Sequence, residues 1–121
     1  MEFFRELDSG LDVAELQRRL TIEHLPQYCR EIDRVLDVAG DHGEIYCLWG
    51  QFKVHRECIK GGVRFTLPGC PNAFAWTVTT DLPPIPGLTV IHCTINRREH
   101  EPDFVESIEM FVGALVDGLK S

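Results

Sequence analysis

Cys70 is the side chain whose setting most suggests chemistry. It lies in Pro68-Gly69-Cys70-Pro71-Asn72, where two prolines and a glycine predict a compact turn and an accessible thiol. A thiol becomes nucleophilic when a cation, a histidine or a helix N-terminus lowers its pKa. His55 and His92 stand in segments predicted as strands that could approach it. A small enzyme with Cys70 as nucleophile and a strand histidine as base is one expectation. The plainer alternative is a turn cysteine without a role. The sequence contains no Cys-x-x-Cys pair and no Gly-x-Ser-x-Gly elbow.

A second constellation comes from alternation. Residues 44–58 read as one strand with Tyr46, Leu48, Phe52 and Val54 at even positions. The odd positions carry Cys47, Trp49, Gln51, Lys53, His55 and Glu57. Arg64 and Thr66 extend that polar set from the next strand, and either His92 with Thr94 or Ile91 with Cys93 extends it from the last. The face that results has three readings: a solvated surface with Trp49 under the N-terminal leader, half of a homodimer interface, or a ligand floor. Its candidate binding residues are Trp49, Lys53, His55, Arg64 and His92, with Cys70 in the nearby turn. Lys53 and Arg64, a cationic pair on an acidic molecule, favour a small anionic ligand or an acidic segment of a protein partner.

Other chemistry finds less support. Five cysteines and five histidines supply ligand types for zinc without the spacing. His92 and Cys93 are adjacent, so on a strand they point to opposite faces. No metal and no cofactor are expected. Gly61-Gly62 joins two strands, whereas a phosphate cradle precedes a helix. The carboxylates from Glu101 to Glu109 suit the start of a helix and read as solvated.

The elements that must position these residues follow from periodicity. Residues 1–10 read as a leader. Asp12, with Glu15 three residues on, predicts an N-cap for a helix over 12–20. Leu25, Cys29, Ile32, Val35 and Leu36 recur at helical spacing, which predicts a second helix over 25–38 closed by Gly40. Lys60-Gly61-Gly62 predicts a hairpin that sets Val63, Phe65 and Leu67 on one face with Phe52 and Val54. Residues 73–80 and 88–97 read as two further strands, separated by a stiff loop containing Pro83, Pro84 and Pro86. Pro102 opens a last helix with a wide apolar stripe from Phe104 to Leu119. The expected fold is one α+β domain over residues 1–121. It is a two-layer sandwich, a four-stranded antiparallel meander with N-terminal helices and a C-terminal helix packed on one face.

A chain of 121 residues can bury about two thirds of its surface without staples. Its net charge of −7 repels a phosphate backbone. One dense basic pair, Arg97-Arg98, is followed at once by Glu99 and Glu101, so no nucleic acid is expected. The first residues carry Glu2, Arg5 and Glu6 rather than a basic start before an apolar run, and no run could span a bilayer. An odd number of cysteines, mostly inside predicted elements, fits reduced thiols in a cytoplasm. The leading expectation is a non-enzymatic binding or protein-interaction domain, a homodimer, working through the open polar sheet face.

Overall fold

The computed structural model describes residues 1–96 and 100–120, so the basic pair Arg97-Arg98 lies outside the described residues. The chain runs β1 (Glu2–Leu7), α1 (Val13–Arg19), a 3-10 turn (Ile22–His24), α2 (Leu25–Tyr28) and β2 (Ile32–Ala39). Then come β3 (His42–Cys47), β4 (Gly50–Ile59), β5 (Gly62–Thr66), β6 (Ala75–Thr79), β7 (Thr89–Thr94) and α3 (Pro102–Lys120). One antiparallel sheet of seven strands, not four, runs in the order β1-β7-β6-β5-β4-β3-β2.

Three local causes produce the extra strands. The leader is β1: Phe3 and Leu7 are buried, while Glu2, Phe4 and Glu6 point away, and the segment pairs along β7. The second helix stops at Tyr28, because residues 32–39 form β2 with two bulges. Each bulge inserts a residue and shifts the phase of alternation. Ile32, Val35 and Val38 therefore stand opposite Cys47, Ile45 and Gly43, sharing a face at a spacing of three that imitates a helix. Finally, the long strand is a hairpin turning at Leu48-Trp49, with Gly50 at a φ of +110°. Pairing Ile45 with Phe52 inverts the parity across the turn, so Cys47 faces inward and Tyr46 outward.

The β4–β5 hairpin forms as expected, with Cys58 opposite Val63 and Arg56 opposite Phe65. The register of the last strand is fixed by Trp76 pairing with Cys93 and Val78 with Ile91. Ile91 and Cys93 thus point inward, and His92 and Thr94 outward. The helices cover the inner face. Ile108, Phe111, Val112 and Leu115 of α3 bury against Phe65, Trp76, Val78 and Ile91 in one core. The Asp12 carboxylate accepts from Glu15 N at 2.8 Å, as an N-cap should. Gln17 of α1 donates to the carbonyls of Ile59 and Gly62, and Arg56 to those of Gln17 and Leu20, which pins α1 to the β4–β5 hairpin.

Candidate functional site

The space between α3 and the sheet is filled by rings. Phe65, Phe74, Trp76 and Phe111 are each at most 2% exposed. Phe65 stacks on Trp76 at 5.1 Å, and Phe111 meets Trp76 edge-on at 5.0 Å. What remains is a pocket of about 90 Å³ at the mouth, lined by residues including Trp49, Phe52, Cys70, Phe74 and Phe104. Trp49 caps it from the β3–β4 turn, with Phe74 at 4.9 Å and Phe111 at 5.2 Å. Its Nε1 donates to Ser107 Oγ at 2.8 Å, and Ser107 in turn donates to the Phe104 carbonyl at 2.6 Å.

Trp49 and Cys70 therefore belong to the inner side, apart from Lys53, His55, Arg64 and His92 on the outer side. The expectation that places Trp49 on the polar face fails because the hairpin turn at residues 48–49 swings its ring over the helix. The thiol hypothesis loses its bases because Cys70, in the connection between β5 and β6, opens on the inner side with Phe74 and Phe104. His55 and His92 project from the outer face, with the sheet between them and Cys70. His100 stacks on Phe104 at 4.3 Å, but its Nδ1 already accepts from Glu101 N at 2.9 Å. Burial pushes the thiols of Cys29 and Cys93 up to about 12, so neither is a nucleophile near neutral pH.

The outer face keeps the other four candidates together. Lys53 and His55 stand on β4, Arg64 on β5 and His92 on β7. His42 of β3 joins them directly opposite His55, with ring centroids 4.3 Å apart. Among the described residues no group of three or more His, Cys, Asp or Glu side chains is placed to hold a metal. Charge on this face is interleaved. Arg64 donates to Glu57 at 3.2 Å, Gln51 donates to Glu44, and His92 meets Glu2 at 3.1 Å. Lys53 makes no ion pair among the described residues. Glu2, Glu6, Asp37, Glu44 and Glu57 outnumber Lys53 and Arg64 on this face, which weakens the case for a small anion.

Among the described residues at least four clefts open on this face, and neighbouring clefts share lining residues. One of about 270 Å³ holds Asp37, Lys53, His42 and His55. The next, about 290 Å³, shares both histidines and adds Glu57 and Arg64. A third, about 190 Å³, runs from Arg64 to Thr77 and His92. The fourth, about 330 Å³, continues from Thr77 and His92 to Phe4 and Glu6 of β1. Side by side they make a trough of adjoining, separate clefts from β2 to β1.

The fourth cleft has a wall that the strand pattern could not reveal. Residues 82–88 rise over the sheet and present Leu82, Pro83, Pro84, Ile85 and Leu88. Asp81 ties the ends of the loop by accepting from Gly87 N at 2.8 Å. Leu82 packs directly on Gly61, where an added Cβ would lie 2.9 Å from Leu82 Cγ. Phe4 and Glu6 escape a sequence reading that takes residues 1–10 as a leader. Buried Phe3 and Leu7 at odd positions are the signal for a strand here, obscured by the outward Phe4 and the inward Arg5.

The fold recurs in solved structures. A START superfamily protein from Mycobacterium smegmatis superposes with a TM-score of 0.61 at 12% identity, covering 99% of this chain and 93% of that one. The fold is START-like. Two Bacillus structures share it. The protein XoxI from B. cereus gives a TM-score of 0.59 at 15% identity over 99% and 89% of the chains. An uncharacterised protein from B. thuringiensis gives 0.58 at 14% over 99% and 93%. At such identities the likeness concerns the START-like fold alone. No family model matches the sequence, and no curated protein matches it. Among the described residues no helix is long and apolar enough to cross a membrane.

Proposed function

We propose that this chain is a non-catalytic binding domain whose working surface is the outer face of the sheet, where the trough receives an extended segment of a partner protein. The observation that carries this reading is the contrast between the two faces. The inner one is closed by Phe65, Phe74, Trp76 and Phe111, whereas the outer one carries adjoining clefts across the sheet. Seven strands about 4.8 Å apart put the ends of the trough about 29 Å apart, the length of about nine extended residues. A small molecule would fill only a part of it. A nucleic-acid strand would have to overcome a net charge of −7. Interleaved carboxylates and cations suit a polypeptide of mixed charge better than a uniformly acidic one.

The test is selection of peptides of that length from a display library against the wild-type protein. Enriched peptides are expected to lose binding to the Lys53→Glu/Arg64→Glu double variant and to keep it with Trp49→Phe. Peptides insensitive to the outer-face changes, or lost with the Trp49 change, would overturn the reading.

Pairing of two copies through the same face is the second reading. Its support is that carboxylates alternate with basic side chains on this face, Glu57 beside Arg64 and Glu2 beside His92, a pattern a second copy of the same face can meet with opposite groups. Native mass spectrometry separates the two. A wild-type dimer that the charge reversals convert to a monomer supports pairing, and a monomer at micromolar protein removes it.

A further inference from the structure

The cleft under the proline loop differs from the rest of the trough in three ways. It is the roomiest, at about 330 Å³. Its wall is stiff, since Pro83, Pro84 and Pro86 fix three φ angles, the Asp81–Gly87 bond closes the loop, and Leu82 braces it on Gly61. Its lining is mostly apolar, from Phe4, Val90, Leu88, Leu82 and Ile85, with one unanswered charge at the rim. That charge is Glu6, which makes no ion pair or hydrogen bond among the described residues. The other ionisable group in the cleft, His92, is already engaged by Glu2 and stacked on Phe4 at 4.2 Å.

An apolar loop with Ile85 56% exposed would gain by lying down on the sheet. The prolines and the Asp81–Gly87 tie hold it up, so the space beneath is preorganised rather than incidental. A cavity of about 150 Å³ suffices for a benzene ring, so this one has room for two fused rings. A cationic group at one end would meet the free Glu6 carboxylate and the face of Phe4. The hydroxyls of Thr77 and Thr79 on the floor make no hydrogen bond among the described residues and are available to an ammonium or guanidinium group.

We infer that this cleft is the anchor pocket of the trough and selects an apolar, ring-sized group that carries a positive charge. The inference rests on the outer face being the working surface, and it names the chemistry that one end of the partner segment must offer.

The experiment uses three matched probes that share one ring system: 2-naphthylmethylamine, 2-naphthalenemethanol and 2-naphthoic acid. Each is titrated into the full chain while the amide resonances of Thr77, Thr79, Val90 and His92 are followed. The amine is expected to shift all four and to bind about two- to fivefold tighter than the alcohol, with the acid weakest. Glu6→Gln should erase that order. Phe4→Ala, at a site already half exposed, should weaken the amine by about fivefold while leaving the spectrum of the fold intact. No shift at these amides with millimolar amine would overturn the inference. So would equal binding of amine and acid, or shifts confined to Trp49 and Phe104. If the amine binds here but no library peptide depends on Lys53 and Arg64, the extended-segment reading fails and the pocket stands. If peptides depend on those cations but not on Glu6 or Phe4, the extended-segment reading stands and the anchor pocket fails.

Discussion

Trp49 and Ser107 are joined by a hydrogen bond of 2.8 Å that ties the β3–β4 turn to the first turns of α3. The bond closes the mouth of the inner face, since Trp49 also lies against Phe74, Phe104 and Phe111. Trp49→Phe keeps most of the ring contact but removes the donor, and Ser107→Ala removes the acceptor. Each should lower unfolding free energy by about 1 kcal/mol, and the double variant by less than the sum. Urea unfolding of the four proteins checks this. Additive losses would mean that the two side chains stabilise the fold independently.

Two glycines of α3 should respond in opposite directions to alanine. A Cβ at Gly118 would lie 2.1 Å from the Tyr28 carbonyl oxygen, so α3 would have to move off α2. Gly118→Ala should cost about 1–3 kcal/mol despite the better helix propensity of alanine. Nothing lies within 4 Å of a Cβ at Gly113, so Gly113→Ala should stabilise by about 0.5–1 kcal/mol. Thermal unfolding of both variants is the measurement. A stabilised Gly118→Ala would mean that the helix contact has slack.

The thiols should divide by burial. Cys58 is exposed and Cys70 half-buried, whereas Cys29, Cys47 and Cys93 are buried. At neutral pH iodoacetamide should label Cys58 and Cys70 first, the other three following only on unfolding. Mass spectrometry of digests taken over time reads the order. Cys70 alone reacting far ahead of Cys58 would revive the nucleophile hypothesis, with a base other than His55 or His92.

Much of the fold is legible where one period dominates. The apolar stripe of α3, the Asp12 cap and the shared parity of Phe52, Val54, Val63 and Phe65 all reappear in the structure. Sequence and structure part where a local feature changes the period. Bulges give Ile32, Val35 and Val38 a helical spacing, and a tight turn marked by a single glycine, Gly50, hides the parity change between Tyr46 and Phe52. The candidate site is half visible for the same reason. Lys53, His55 and Arg64 lie on strands whose alternation is regular, and they share the outer face. Trp49 sits in the hidden turn and does not join them. Phe4 and Glu6 sit on an edge strand whose apolar alternation is broken by an outward Phe4 and an inward Arg5.

Alkaline pH should weaken the fold through two buried thiols. Cys29 and Cys93 are raised by burial from 9.0 to about 12, and both are fully enclosed. Between those values the unfolded chain releases protons that the folded chain retains. The stabilisation is whole below about pH 9 and is lost as pH climbs towards 12, at about 1.4 kcal/mol per pH unit for each thiol. Cys93→Ala removes one of the two. It should lower stability at pH 7 through lost packing, yet show a shallower fall between pH 9 and 11 than the wild-type protein. Every other group that titrates in this range does so in both proteins, so the difference in slope isolates the thiol. Parallel stability curves for the two proteins would mean that Cys93 ionises without unfolding, and that its surroundings admit water.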